Sequence, residues 1–209
     1  HDQAVFAQHC DDGGIPRDAE ALDRLAIDGS PLGEADLGET SAATFERWGL
    51  GDGRTLLCSS GFEAVEAALK TAFLHTGKPG VIAFDGCYHG LGFGALGAGG
   101  FARFRDPFLA QIPGFGVTLP FPHIHAPART PGVQAVLERV RSVLAGGDVG
   151  AVLVEPMQGR GGKRIARGGF LKGLREICDV TGTVLVFDEI MTGLNRCGAL
   201  FAADRFRVF

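Results

Sequence analysis

Apolar positions along the chain fall into two alternating periods. Short runs are apolar at most positions: Val81–Phe84, Val117–Pro120, Val149–Val154, and Val184–Phe187 with Thr183 leading. Bounded by turn residues, such runs read as buried strands. Between them lie longer segments that are apolar every third or fourth residue. These are Gly61–His75, Val133–Leu144 and Phe170–Val180, and that spacing predicts amphipathic helices. In Val133–Leu144 the residues Val133, Val136, Leu137, Val140 and Leu144 share one face. Arg54–Cys58 reads as a further short strand, broken by Ser59-Ser60-Gly61. Strands alternating with helices in this order predict an α/β fold, a three-layer arrangement with a mainly parallel sheet flanked by helices. Upstream, Pro16–Ile27 and, more weakly, Gly33–Trp48 have helical spacing, so residues 1–50 form an expected N-terminal helical segment before a main domain over 51–209. His1–Ile15 carry little periodicity. Phe101–Pro131 is rich in Phe and Pro, and Met157–Gly169 reads as a loop.

Composition narrows the partners. The 209 residues are 45% hydrophobic with a net charge of −4, enough for a sizeable core. Lys and Arg are scattered and the pI is about 5.9, so neither nucleic acid nor an anionic membrane is an expected partner. The five cysteines are odd in number and far apart, which fits reduced thiols in a cytoplasmic protein better than a disulfide framework. No pair has the spacing of a structural zinc site. There is no secretory signal and no apolar run of about 18 residues. Glycine stands out at 33 residues, against an average usage of about 7%.

Candidate chemistry gathers where strands end. Asp85, Glu155 and Asp188 each follow a predicted strand, and open α/β sheets bind ligands outside the carboxyl ends of their strands. Asp188 could equally cap the next turn. Before the first strong helix, Ser60 and Glu63 have capping-box spacing. The same junction could bind an anion through the amides of Gly61 and Phe62 and a hydroxyl of Ser59 or Ser60. After Phe84, Tyr88-His89-Gly90 could cover a flat charged ring, or could simply pack. Gly92, Gly94 and Gly97 match a dinucleotide pattern but stand too far from the strand to carry it. His123 and His125 could ligate a metal, but Pro120, Pro122 and Pro127 point to a surface loop, and no metal is expected. Glu155 could be an acid, a base, half of a switchable ion pair, or a cap. An anion cradle, an aromatic platform and a buried carboxylate together suit a phosphorylated cofactor with a protonated ring, because the carboxylate favours the charged form. Pyridoxal phosphate has that chemistry.

In order, SSGFEAVEAALK, IAFDGCYHG, VLVEPMQGRGG, GFLKGLREICD and VLVFDEIMTGLNRCG resemble the class III pyridoxal-phosphate aminotransferases, over about Leu56 to Ala202. The resemblance implies the large domain of fold type I and transfer of an amino group from a small-molecule amino donor to a keto acid or aldehyde acceptor. It also implies a homodimer in the intact enzyme. By the same resemblance Gly61 and Phe62, beside Ser60, would bind the cofactor phosphate. Tyr88 and Ile190 would cover the two ring faces, Asp188 would pair with the ring nitrogen, and His89 would orient the site. Glu155 matches the family's gate glutamate, which in several members pairs with an arginine so that one pocket takes two substrates. An aminomutase or racemase of the same fold shares these motifs, and a non-catalytic fragment is the alternative from another class.

Departures from the family pattern are local. Phe62 stands where a small or hydroxyl residue is usual, Met191 where a Gln often contacts the ring hydroxyl, and Leu194-Asn195 where Phe-Gly is commoner. The family's Schiff-base lysine lies some tens of residues beyond the Asp188 motif. The lysines of this chain, Lys70, Lys78, Lys163 and Lys172, match no such motif. The resemblance therefore implies a large domain truncated before that lysine, before the threonine supplied by the partner subunit, and before the small carboxy-terminal domain.

Overall fold

A computed structural model describes residues 6–8, 56, 58–112, 114–193 and 196–208. The helices expected at Pro16–Ile27 and Gly33–Trp48, and the Leu194-Asn195 departure, lie outside the described residues. So does most of the strand expected at Arg54–Cys58, of which Leu56 and Cys58 are described and belong to no strand.

Among the described residues there are seven strands: β1 (Phe6–Gln8), β2 (Gly80–Phe84), β3 (Gly116–Leu119), β4 (Val149–Val154), β5 (Met157–Gln158), β6 (Arg164–Ile165) and β7 (Val184–Phe187). The longer helices are α1 (Gly61–Thr76), α4 (Val133–Leu144) and α5 (Phe170–Thr181). Shorter helices among the described residues are α2 (Phe93–Ala98), α3 (Ala102–Arg105) and α6 (Ala202–Arg205), with a 3-10 turn at Asp106–Phe108. The main sheet runs in the order β1-β7-β4-β2-β3. Four of its strands are parallel, and β1 alone pairs antiparallel, through Phe6–Phe187 and Gln8–Leu185. β5 and β6 form a separate antiparallel hairpin.

Successive side chains on a strand point to opposite faces, and the core divides accordingly. On one face Ile82, Phe84, Val152, Val154, Leu185 and Phe187 pack with Val136, Leu137 and Val140 of α4 and Phe170, Leu171 and Leu174 of α5. On the other, Val81, Ala83, Ala151, Leu153, Val184 and Val186 meet Val65, Ala68, Leu69 and Ala72 of α1 and Ala95 and Ala98 of α2. Burial on both faces explains why β4 and β7 are apolar without alternation,. Each fully buried Leu or Val stabilises the fold by roughly 1.5–3 kcal/mol. These are the three layers that the periodicity predicts.

Two details differ from the sequence expectation. Met157–Gly169 is not simply a loop: it folds back as the β5–β6 hairpin, whose two-residue strands are too short to show a period. The capping box at Ser60 and Glu63 does not form, because Ser60 makes no side-chain capping bond. No helix among the described residues is long and apolar enough to cross a membrane.

Candidate cofactor site

Parallel strands bring their carboxyl ends to one edge of the sheet, and the residues that follow β2, β4 and β7 meet there. After β7 the chain continues the ladder for one more bond, Asp188 N–H to Val154 O at 2.9 Å. The Asp188 carboxylate is therefore held inside the fold, 4% exposed. Its Oδ1 accepts the Ile190 N–H at 3.2 Å, and its Oδ2 lies 2.7 Å from His89 Nδ1. His89 is 2% exposed, and its other nitrogen, Nε2, has no hydrogen-bond partner among the described residues. Burial by itself lowers the His89 pKa. The Cys87 sulfur beside the ring and the Asp188 carboxylate outweigh it and hold the imidazole well above its ordinary 6.5.

Glu155 follows β4 and is also buried. Its Oε2 accepts the Tyr88 N–H at 3.0 Å and its Oε1 the Gly159 N–H at 3.3 Å. Burial pushes its pKa up to about 7, with nearby Asp188 adding to the rise, against the opposing effects of His89 and the two amides. No arginine pairs with it among the described residues. Both oxygens brace the backbone on either side of the site. Glu189, next to Asp188, is a structural acid. It accepts from Thr192 Oγ1 at 2.6 Å and from the Ala202 and Ala203 N–H groups at 2.8 Å, closing the start of α6.

Tyr88 is half-buried. Its ring meets Phe104 at 5.5 Å between centroids, and the Arg160 guanidinium stands over it, 4.4 Å from the ring centroid. Arg160 and Gln158 belong to the hairpin and were not singled out as site residues by sequence reasoning. The signal available was a cation-rich, glycine-rich segment directly after a strand-ending carboxylate. Gln158 ties the hairpin to the strand end by donating from Nε2 to Asp85 O at 2.9 Å.

The start of α1 joins this group through Gly90. Gly90 has φ +108°, and a Cβ there would run into Phe62 Cβ. Phe62 itself is 41% exposed. The first amides of a helix have no intrahelical partner, and no side chain caps α1. The buried Oγ of Ser60 also has no partner among the described residues. Ser60, Gly61, Phe62, Tyr88, His89, Glu155 and Asp188 are thus linked through direct contacts. Ile190 is half-buried beside Asp188 and packs against the α1 face of the core. Met191 turns outward, 55% exposed, and a Cβ on Gly159 would lie 3.2 Å from its Cγ. His123 forms an isolated bridge with Ala166, while His125 lies exposed. Among the described residues no group of three or more His, Cys, Asp or Glu side chains could hold a metal ion.

A phosphorylated, ring-protonated cofactor fits this donor set. The uncapped helix start and the orphaned Ser60 hydroxyl suit a phosphate. A buried carboxylate with spare lone pairs suits a protonated ring nitrogen, and Tyr88 and Ile190 offer flat and apolar cover.

The family described as aminotransferase class-III matches residues 35–208. An acetylornithine aminotransferase from Methanosarcina mazei is 38% identical over 151 residues, which is 72% of this chain and 35% of that protein. The structure resembles an amine transaminase from an uncultivated Pseudomonas species in its PLP-bound form (TM-score 0.71, 26% identity), covering 90% of this chain and 46% of that one. It also resembles a taurine:2-oxoglutarate aminotransferase from Bifidobacterium kashiwanohense, in complex with PLP and glutamate. There the TM-score is 0.73 at 25% identity, with 93% and 47% covered. The chain thus spans about a third of the curated relative and about half of each solved neighbour. On the strength of a match that takes in the whole parallel sheet and every residue of the site, the chain belongs to the class III aminotransferase family.

Proposed function

We propose that this chain is the cofactor-binding part of a pyridoxal-phosphate-dependent transaminase, which moves an amino group between an amine or amino acid and a keto acid or aldehyde. The observation that carries the reading is the buried His89–Asp188 pair at the carboxyl edge of the sheet, 2.7 Å apart. Residues 51–209 are read as the large cofactor domain and residues 1–50 as a helical segment before it, with a homodimer as the assembled form. The free thiols of Cys58, Cys87, Cys178 and Cys197 support a reducing, cytoplasmic setting.

When bound, the cofactor supplies a protonated ring that takes up the electron pair released at the substrate carbon. The chain's own residues do the rest. Asp188 would keep the ring nitrogen protonated, since a nearby opposite charge favours the protonated form. His89 donates to the second oxygen of that carboxylate and fixes its plane. Gly61 and Phe62 offer backbone N–H groups to the phosphate, and Ser60 a hydroxyl. Tyr88 and Ile190 would cover the ring and exclude water, and Met191 lies exposed beside Gly159. Glu155 keeps Tyr88 in place through the backbone.

Equilibrium dialysis with pyridoxal phosphate and with pyridoxal tests the reading on the chain itself. Saturable binding of the phosphorylated form is expected, with pyridoxal weaker by tenfold or more, roughly the scale of lost charge-assisted hydrogen bonds, and Asp188→Ala weakening both. Equal affinity for the two compounds, or no effect of Asp188→Ala, would overturn it.

A further inference from the structure

The chain after α2 brings a cation to the turn that carries Tyr88 and His89. Helix α3 holds Arg103 and Arg105 two positions apart, so their side chains leave it on opposite sides. The Arg103 guanidinium lies over the rings of Phe104 and Phe101, 4.6 and 5.6 Å from their centroids. Arg105 reaches back instead. Its Nη1 donates to Gly99 O at 3.4 Å and its Nη2 to Asp106 Oδ1 at 3.3 Å. The third nitrogen, Nε, is buried and has no hydrogen-bond partner among the described residues.

Between α3 and that turn lies a small cavity, lined by Cys87, His89, Leu96, Phe101, Phe104 and Arg105 among others. Its size admits one small ion or water,. The two nitrogens of an imidazole face away from each other. Since Asp188 Oδ2 takes His89 Nδ1 at 2.7 Å, Nε2 is turned away from that carboxylate. The His89 side chain is wholly buried, and Nε2 has no partner among the described residues. Two acceptors at the cavity are already engaged: Gly99 O by Arg105, and Ala98 O by the Cys87 thiol at 3.8 Å. No carboxylate lines the cavity among the described residues.

Both nitrogens are donors. A guanidinium is always charged, and His89 is held well above its ordinary 6.5, with the Cys87 sulfur and Asp188 outweighing burial. Leaving two such donors buried and unpaired is costly, and one occupant that accepts from both removes the cost. A cation is repelled by both. A water accepts from both but must then place its own two protons among walls that include Leu96, Phe101 and Phe104. An anion only accepts, and its hydrogen bonds to charged donors are the stronger kind. We propose that this cavity binds a small monovalent anion of halide size, held between His89 Nε2 and Arg105 Nε. Around His89 stand Cys87 and Tyr88 of its own turn, Glu155 after β4, Asp188 after β7 and Arg105 of α3. Arg105 alone carries the sign of a protonated imidazole, and the anion offsets that charge from the side opposite Asp188. The site stands apart from the cofactor reading, in which His89 acts through Nδ1.

Chloride is the probe, and no pyridoxal phosphate is present, so the result is independent of cofactor binding. The chain has six histidines, and in protein labelled with 15N-histidine the His89 signal is the one lost in His89→Gln. Sodium chloride is titrated in place of sodium gluconate at constant ionic strength, gluconate being too bulky to enter. A saturable shift of the His89 signal is expected, with its titration midpoint moved to higher pH. Excess broadening of the 35Cl resonance should appear with it and be competed away by bromide. In Arg105→Gln the chloride affinity should fall roughly tenfold or more, the scale of a lost charge-assisted bond. Arg105→Lys should recover only part of it, because the charge returns without the Nε donor. A His89 signal that responds to chloride no more than to gluconate would overturn the site and leave the cavity to water. Unchanged chloride affinity in Arg105→Gln would overturn it as well. The titration of the unaltered chain decides the matter even where Arg105→Gln fails to fold.

Discussion

His89 Nδ1 lies 2.7 Å from Asp188 Oδ2 although the two residues are 99 positions apart in the chain. They meet because β2 and β7 are parallel strands of one sheet with only β4 between them. The pair sets a pH dependence whose sign follows from its direction. The folded-state pKa of His89 is raised well above 6.5, so its contribution to stability is fully present below about 6.5 and is lost as pH rises through the folded value. In Asp188→Asn the imidazole should titrate at lower pH and this alkaline loss should flatten. An NMR titration of His89 in the two proteins measures it, and an unchanged midpoint would show that the carboxylate is not what holds the proton.

Glu155 has the opposite chemistry but the same direction of pH effect. Its folded pKa of about 7 lies above that of an unfolded glutamate, near 4.3. Between these values the native state keeps a proton that the unfolded chain gives up, so stability falls as pH rises. The loss across that window is on the order of 3 kcal/mol. Glu155→Gln carries no titrating proton and should show a smaller drop. Urea midpoints at pH 5 and pH 8 check this, and equal drops in the two proteins would assign the slope to other groups.

Ser60 separates capping from binding. Its buried hydroxyl has no partner, so Ser60→Ala should change the unfolding free energy by less than about 0.5 kcal/mol. Removal of a working N-cap costs about 1 kcal/mol. The same variant should bind pyridoxal phosphate several-fold more weakly. A large stability loss in urea unfolding, with unchanged cofactor affinity, would return Ser60 to a purely structural role.

Gly90 holds the start of α1 against the Tyr88–His89 segment. At φ +108°, with a Cβ directed at Phe62, Gly90→Ala suffers both backbone strain and overlap and should cost on the order of 2 kcal/mol. Adding Phe62→Gly removes the overlapped Cβ and leaves the strain, so Gly90→Ala should cost less in the Phe62→Gly background than in the unaltered chain. Additive losses on urea unfolding would show that the two residues are not coupled.

Much of the scaffold was legible because its signals are local and strong. The helix expected at Val133–Leu144 and the strands expected at Val149–Val154 and Val184–Phe187 have those same bounds in the structure. Each is written by the side-chain period of its own residues. The antiparallel β1 was missed because three residues carry no period, and its pairing depends on the edge that β7 leaves open. The hairpin was missed for the same reason, since Met157–Gln158 and Arg164–Ile165 are paired by their surroundings. At Ser60 the capping-box spacing was present, but the side-chain bond is not made.

For the site, the residue types were readable and their partners were not. The sequence alone determined that acids stand at the ends of buried strands, that a glycine and serine turn opens a long helix, and that one tyrosine and one histidine follow Phe84. Strand order decided that His89 would reach Asp188 and that Glu155 would spend its carboxylate on the Tyr88 backbone 67 positions away. Close packing at Gly86 and Gly161 decided that Arg160 would lie on Tyr88. Periodicity is a property of neighbours along the chain, whereas the partners of a buried charge are chosen by which elements the sheet sets side by side.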